Sequence, residues 1–192
     1  GAHWEEYMPA FPFLKLLTSL TQGELQRDPY RTGATLSQLM TIIQRSPVRV
    51  ALRTTGGSPR VILHDVGGLT RGVGREDQPR WALTCSPYHM NGVWTMFHVL
   101  FNHGTLVNVF QRSRGYVLNQ LRRHEVTHIS AAPSFYRMLK ADAVFPAVRK
   151  VIVSGEPIDQ SLWDDLKAVF PNAKRYNVYI TTETGYLLSS EG

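Results

Sequence analysis

A mostly parallel α/β sheet flanked by helices is what this 192-residue chain predicts, on two observations. From residue 105 onward, short apolar and β-branched runs alternate with helical runs across brief links, the pattern of βαβ units. Several strand-like runs then end in turns dense with hydroxyls, glycines and carboxylates, and in an open α/β sheet that is the edge where ligands bind.

In chain order, residues 7–20 combine Pro9 and Pro12 with Phe11, Phe13, Leu14, Leu16, Leu17 and Leu20, which reads as an extended entry and a short amphipathic packing helix. Leu36, Leu39, Met40, Ile42 and Ile43 recur at helical spacing behind Thr35 as N-cap, predicting a helix over 36–45. Residues 48–52 alternate like a strand, Thr54-Thr55-Gly56-Gly57-Ser58-Pro59-Arg60 break it, and Val61-Ile62-Leu63 resume β character. That break admits two readings. Paired glycines with hydroxyls and an arginine can cradle phosphate, whereas the same composition also serves a long hairpin turn. It is no Walker loop, because the Gly-Lys-Ser/Thr ending and the following helix are absent.

Residues 67–80 read as a glycine-rich loop with room for one short helix, and 81–84 as a buried strand. The strand runs into Ser86-Pro87-Tyr88-His89-Met90-Asn91-Gly92, ahead of an almost wholly apolar helix over 93–101. His89, at this junction, is either a ligand or gate residue or simply a hydrogen-bonding junction residue. Strands follow at 105–109, 127–131, 149–153 and 174–179, separated by helices at 115–123, 133–140 and 159–170. Pro133 suits a first helical position, Asp159 an N-cap, and Pro171-Asn172 a stop. Ser154-Gly155-Glu156-Pro157 follows one strand and Thr181-Thr182-Glu183-Thr184 the last, so two successive strands are expected to bring Glu156 and Glu183 to one edge.

The length and 43% hydrophobic content suit one compact domain overall, with 1–47 as an N-terminal packing segment and 48–192 as the α/β domain. The single cysteine, Cys85, excludes an internal disulfide and a multi-cysteine zinc site. Neither a signal peptide nor an apolar run of about 18 residues is present, which predicts a cytoplasmic protein without a membrane partner. Gly1-Ala2-His3 lacks an initiator methionine and reads as an expression remnant. The net charge of +6 is spread rather than blocked, so no nucleic acid is expected. The diffuse positive field suits anionic ligands such as nucleotides, coenzyme A or an acidic carrier domain.

Four segments, in order, resemble the adenylate-forming superfamily of acyl-CoA synthetases, aryl-acid ligases and peptide-synthetase adenylation domains. The residues from Thr54 to Arg60 are similar to its phosphate loop, and Pro87-Tyr88-His89-Met90-Asn91-Gly92 to its Pro-Leu-Phe-His-x-x-Gly segment beside the acyl pocket. Ser154-Gly155-Glu156-Pro157 resembles its Gly-Gly-Glu-Pro turn, and Tyr179-Ile180-Thr181-Thr182-Glu183 its Tyr-Gly-x-Thr-Glu signature. Val126-Thr127-His128-Ile129 with Ala132-Pro133-Ser134 fits the intervening strand and Pro-initiated helix.

The resemblance implies part of the N-terminal domain of such enzymes, with the C-terminal domain absent. It implies nucleotide contacts at Thr54, Thr55, Gly56, Gly57, Ser58, Arg60, Gly155, Glu156, Pro157, Tyr179 and Thr182, with Tyr179 stacking on adenine. Glu183 becomes the magnesium ligand, Thr182 the α-phosphate contact, and His89, Met90, Gly92 and Ile180 the acyl wall; Thr182, Glu183 and His89 form the catalytic set. ATP or AMP with Mg2+, and coenzyme A or phosphopantetheine as acceptor, are the implied cofactors. The implied partners are a carboxylic acid or acyl thioester and a carrier protein or synthase, with the oligomeric state open. Two departures matter: Arg60 stands where the loop has lysine, and Ile180 where the signature has glycine. A β-branched residue there occupies space a carboxylate would need, so poor adenylation is expected. An acyl-activating or acyl-transferring enzyme and a degenerate acyl- or nucleotide-binding or synthase-docking partner therefore stand as the two readings.

Overall fold

In the computed structural model, which describes residues 45, 49–54, 60–87, 89–139, 143–181 and 185–191, the alternating runs assemble into one six-stranded sheet and one hairpin. The packing segment expected over 1–47, apart from Arg45, lies outside these residues. The hairpin joins β1 (Arg49–Arg53) and β2 (Val61–Asp65), which pair antiparallel from Arg49↔Asp65 to Arg53↔Val61. Asp65 then caps the short helix α1 (Val66–Thr70) by accepting from the Gly68 N–H.

The six-stranded sheet runs β4 (Thr105–Asn108), β3 (Arg80–Leu83), β5 (His128–Ala131), β6 (Lys150–Val153), β7 (Lys174–Thr181) and β8 (Gly185–Glu191). The first five are parallel; β8 returns antiparallel against β7. Between them lie α2 (Met90–Phe101), α3 (Arg114–Arg123), α4 (Pro133–Leu139) and α5 (Gln160–Val169). Ser113 caps α3 and Asp159 caps α5, accepting from Leu162 N–H at 2.8 Å as its position predicted.

Strand side chains alternate between two cores, as a period of two requires. Ala82, Ile129, Val151 and Val153 face a cluster that includes Leu121, Tyr136, Leu166 and Phe170, so α3, α4 and α5 cover that side. Trp81 and Ile152 face the other side, where Trp94 of α2 packs against them, and Leu83 joins Val93, Met96 and Phe97 with Val50 and Leu52 of the hairpin. The central strands β3, β5 and β6 are buried on both faces, and β3 and β6 read as near-continuous apolar runs.

Tyr136 fastens α4 to the sheet. Its buried hydroxyl donates to the Ile152 carbonyl at 2.8 Å and to that of Ile129 at 3.2 Å, and burial drives its pKa well above the ordinary value. Tyr136→Phe keeps the ring and removes the donor, so a loss of about 1–2 kcal/mol in urea-unfolding free energy is expected; an unchanged midpoint would show the hydroxyl to be idle.

Candidate functional site

The strand order creates a topological switch point. From β3 the chain passes through α2 to β4 on one side, then back through α3 to β5 on the other, so the sheet reverses direction between β3 and β5. The carboxyl ends at such a point diverge and leave room for a ligand. Here Asn91 bridges them: its Nδ2 donates to the Ser130 carbonyl at 3.2 Å, and its Oδ1 accepts from Ser130 Oγ at 2.8 Å. Thr84 Oγ1 donates to the same carbonyl at 2.6 Å. Asn91 and Ser130 belong to none of the sites expected from the family resemblance; a polar residue behind a Pro-bounded turn was the available signal.

His89 stands at this edge as the N-cap residue of α2, exposed and without a side-chain capping bond. Met90 is buried with Leu83 and Val93 in the core, which gives it a packing role in addition to any at an acyl wall. Gly92 is held even more closely: a Cβ there would lie 2.1 Å from the Ser86 carbonyl oxygen. Burial pushes the Cys85 thiol up to about 11, against hydrogen bonds from Asn91 and Thr84, so it is no thiolate at neutral pH.

The second half of the edge lies beyond β6 and β7. Their last paired position is Val153↔Asn177; two residues further lead to Gly155 on one chain and Tyr179 on the other. Gly155 has φ +88°, a conformation that favours glycine, and a Cβ there would meet no atom within 4 Å. The turn therefore offers open backbone two residues past the last paired position of β6, and Tyr179, two residues past it on β7, is 62% exposed. The Glu156 carboxylate points elsewhere, accepting from Ser134 N–H at 3.1 Å and Ser134 Oγ at 2.7 Å.

Strand β7 continues through Ile180 and Thr181, two residues beyond the strand expected to end at Tyr179, and its register against β8 shifts between Tyr179 and Ile180. Such irregularities re-aim neighbouring side chains and are common beside active sites. Thr181 pairs with Gly185, which leaves Thr182, Glu183 and Thr184 as the connection, outside the described residues. The expected juxtaposition of Glu156 with Glu183 is thus described only on its Glu156 side.

At the hairpin, Thr55 to Pro59 also lie outside the described residues, but the two ends are clear. Thr54 N–H donates to the Arg60 carbonyl at 2.9 Å, and buried Thr54 Oγ1 accepts from Arg60 N–H at 2.9 Å. The segment is the connection of a true hairpin, and Thr54 closes it from inside.

At the opposite, amino edge of the sheet lies a polar cluster that no motif announced. Glu76 forms an ion pair with Lys150 at the start of β6, and its Oε2 lies 3.4 Å from His128 Nε2 and 3.7 Å from His98 Nδ1. Burial alone would raise the Glu76 pKa, but His128, His98 and Lys150 outweigh it and hold the carboxyl far below its usual range. Among the described residues, no three His, Cys, Asp or Glu side chains are arranged to hold a metal ion. No described helix is long and apolar enough to cross a membrane.

The family model for AMP-binding enzymes matches residues 55–191. Among solved structures, O-succinylbenzoate coenzyme A synthetase from Bacillus subtilis, in complex with AMP, aligns at TM-score 0.63 and 23% identity, over 73% of this chain and 31% of that one. VinN in complex with L-aspartate aligns at TM-score 0.64 and 17% identity, over 80% and 46%. The luciferase-like enzyme from the nonluminescent mealworm Zophobas morio aligns at 0.63 and 18%, over 72% and 36%. The chain thus spans from about a third to just under half the length of these structures. The Bacillus synthetase has also been solved with ATP and a magnesium ion. A search of the curated proteins finds no match.

Proposed function

Because this chain belongs to the AMP-binding enzyme family, whose fold is that of adenylate-forming, acyl-activating enzymes, we propose that it binds a carboxylic acid or its activated form beside a nucleotide. In that role it takes part in activating the acyl group or passing it to the thiol of coenzyme A or of a carrier protein. The observation that carries this reading is an exposed Tyr179 and an open Gly155 backbone, each two residues beyond the last paired position of β7 and β6, inside the matched segment.

Tyr179 would stack on adenine while Gly155, Glu156 and Pro157 form the facing rim. Thr182 would donate to the α-phosphate, and Thr55 to Ser58 with Arg60 would hold the outer phosphates through amide, hydroxyl and guanidinium donors. Glu183 would supply the hard oxygen that magnesium requires, the ion neutralising phosphate charge when bound. His89 and Met90 would border the acyl group. In activation the acid's carboxylate oxygen attacks the α-phosphorus and pyrophosphate leaves; in transfer a thiolate attacks the acyl carbon and AMP leaves.

A second reading, a degenerate fold that binds an acyl group or nucleotide or docks on a synthase without adenylating, is favoured by Ile180 and Arg60. Acid-dependent exchange of labelled pyrophosphate into ATP, over a panel of aryl and fatty acids, separates the two. Slow exchange by the wild type and a rise of roughly tenfold in Ile180→Gly, equivalent to ~1.4 kcal/mol of barrier, is the expected result. Robust wild-type exchange overturns the steric role of Ile180. No calorimetric heat with ATP or AMP up to millimolar concentration overturns nucleotide binding altogether.

A further inference from the structure

We propose that Ser134 is a positioning residue for the nucleotide base: by holding the Glu156 carboxylate it fixes the Gly155–Pro157 turn on which the base rests. The inference builds on nucleotide binding at the carboxyl edge and adds how that rim is kept in shape.

The turn between β6 and α5 has little to hold it by itself. It is exposed from Gly155 to Pro157, and it contains one glycine in a left-handed conformation. Its fixed points come from α4. Both oxygens of Glu156 are engaged by one residue, Oε2 by the Ser134 N–H and Oε1 by Ser134 Oγ, across 22 positions of sequence. A charge-assisted pair of this kind fixes direction as well as distance. Further along, Arg137 of the same helix donates to Asp159 at 2.6 Å. That second tie joins two side chains about half exposed, and such pairs contribute little. The Ser134 tie is exposed as well, but it engages both carboxylate oxygens, one of them through a backbone N–H of α4, and so sets the direction of the turn more closely.

The observed hydrogen bonds give the carboxylate a supporting role in the turn. A carboxylate accepting two hydrogen bonds from Ser134 is directed toward α4, while Gly155, two residues past the paired end of β6, presents open backbone. What Glu156 gives the ligand is a turn already in its bound shape, and preorganisation raises affinity by lowering the ordering cost of binding. Loss of the tie should weaken ligands that have a base and spare those that lack one.

The test compares AMP with ribose 5-phosphate, the first by calorimetry and the second by its competition with AMP. Ser134→Ala should weaken AMP about fivefold, the order expected for one hydrogen bond. Ribose 5-phosphate should be unchanged, and Ser134→Thr, which keeps a hydroxyl, should restore AMP binding. Glu156→Gln preserves shape and should give a smaller loss of the same kind, with Ser134→Ala/Glu156→Gln no worse than Ser134→Ala alone. AMP binding unaffected by Ser134→Ala, or equal losses for both ligands, overturns the clamp and leaves nucleotide binding standing. A wild type that does not bind AMP overturns the functional reading and the clamp with it.

Discussion

Gly92→Ala is expected to destabilise the fold by about 3 kcal/mol or more, a cost at the upper end for overpacking. The added Cβ would sit 2.1 Å from the Ser86 carbonyl oxygen and 2.9 Å from Pro87 Cα. These are backbone atoms on the rigid approach from β3, so relief requires α2 to move off the sheet, taking Val93, Met96 and Phe97 with it. For a chain of this length the melting temperature should fall by roughly 6–12 °C, read by calorimetry or circular dichroism. His89→Ala, at an exposed position three residues earlier without a capping bond, should stay within about 0.5 kcal/mol of wild type. A well-folded Gly92→Ala would return the glycine to a purely acyl-lining role.

The contrast shows what motif reading can and cannot separate. The resemblance placed His89, Met90 and Gly92 together as an acyl wall, yet the structure gives Met90 and Gly92 packing reasons of their own. A glycine in a motif has the same letter whether it admits a ligand or a neighbouring backbone. The sheet was legible because short apolar strands such as β3 and β6 alternate with helices, of which α5 starts at the expected cap Asp159. Strand β8 was not: Leu187-Leu188 are its only aliphatic pair, and Ser189-Ser190-Glu191 carry no alternation. Its β structure comes from pairing with β7, a tertiary cause invisible to local pattern. Helix α2 begins at Met90, before the expected residue 93, because Pro87 and Asn91 read as a longer turn than the chain makes.

At the site, the strand ends were readable and their side-chain partners were not. Nothing in Ser154-Gly155-Glu156-Pro157 reveals that Glu156 turns toward Ser134, although a serine directly after the helix-starting Pro133 was a usable hint. The Glu76 cluster was further from view. It lies in a loop of glycines and charges, and its ion-pair partner Lys150 is 74 positions away.

Glu76→Ala is expected to cost about 3 kcal/mol at neutral pH, the low end for breaking a buried ion pair, since Lys150 keeps some contact with solvent. The substitution leaves the Lys150 ammonium beside His98 and His128 without its counter-charge, at a junction that ties the 73–79 loop, α2, β5 and β6 together. Asn102 secures the same loop, accepting from Glu76 N–H at 2.7 Å and donating to the Gly74 carbonyl at 3.0 Å, so the backbone stays anchored while the charge is removed. The pH dependence follows from two depressed pKa values. Burial lowers that of His98 below 6.5, the nearby Glu76 opposing it only in part, and among the described residues neither ring nitrogen has a hydrogen-bond partner. Glu76 is held below 4.5 by His128, His98 and Lys150 against its own burial. In both cases the unfolded chain takes up a proton before the folded one, so stability is greatest above about pH 6.5 and falls on acidification, through His98 first and through Glu76 below about pH 4.5. Urea melts of wild type and Glu76→Ala should therefore stay at least as far apart from pH 7 down to about pH 4.5 and converge progressively below it, where the wild type loses the carboxylate's contribution. A gap that is constant with pH, or smaller than about 1 kcal/mol at pH 7, would show that the buried carboxylate adds no net stability.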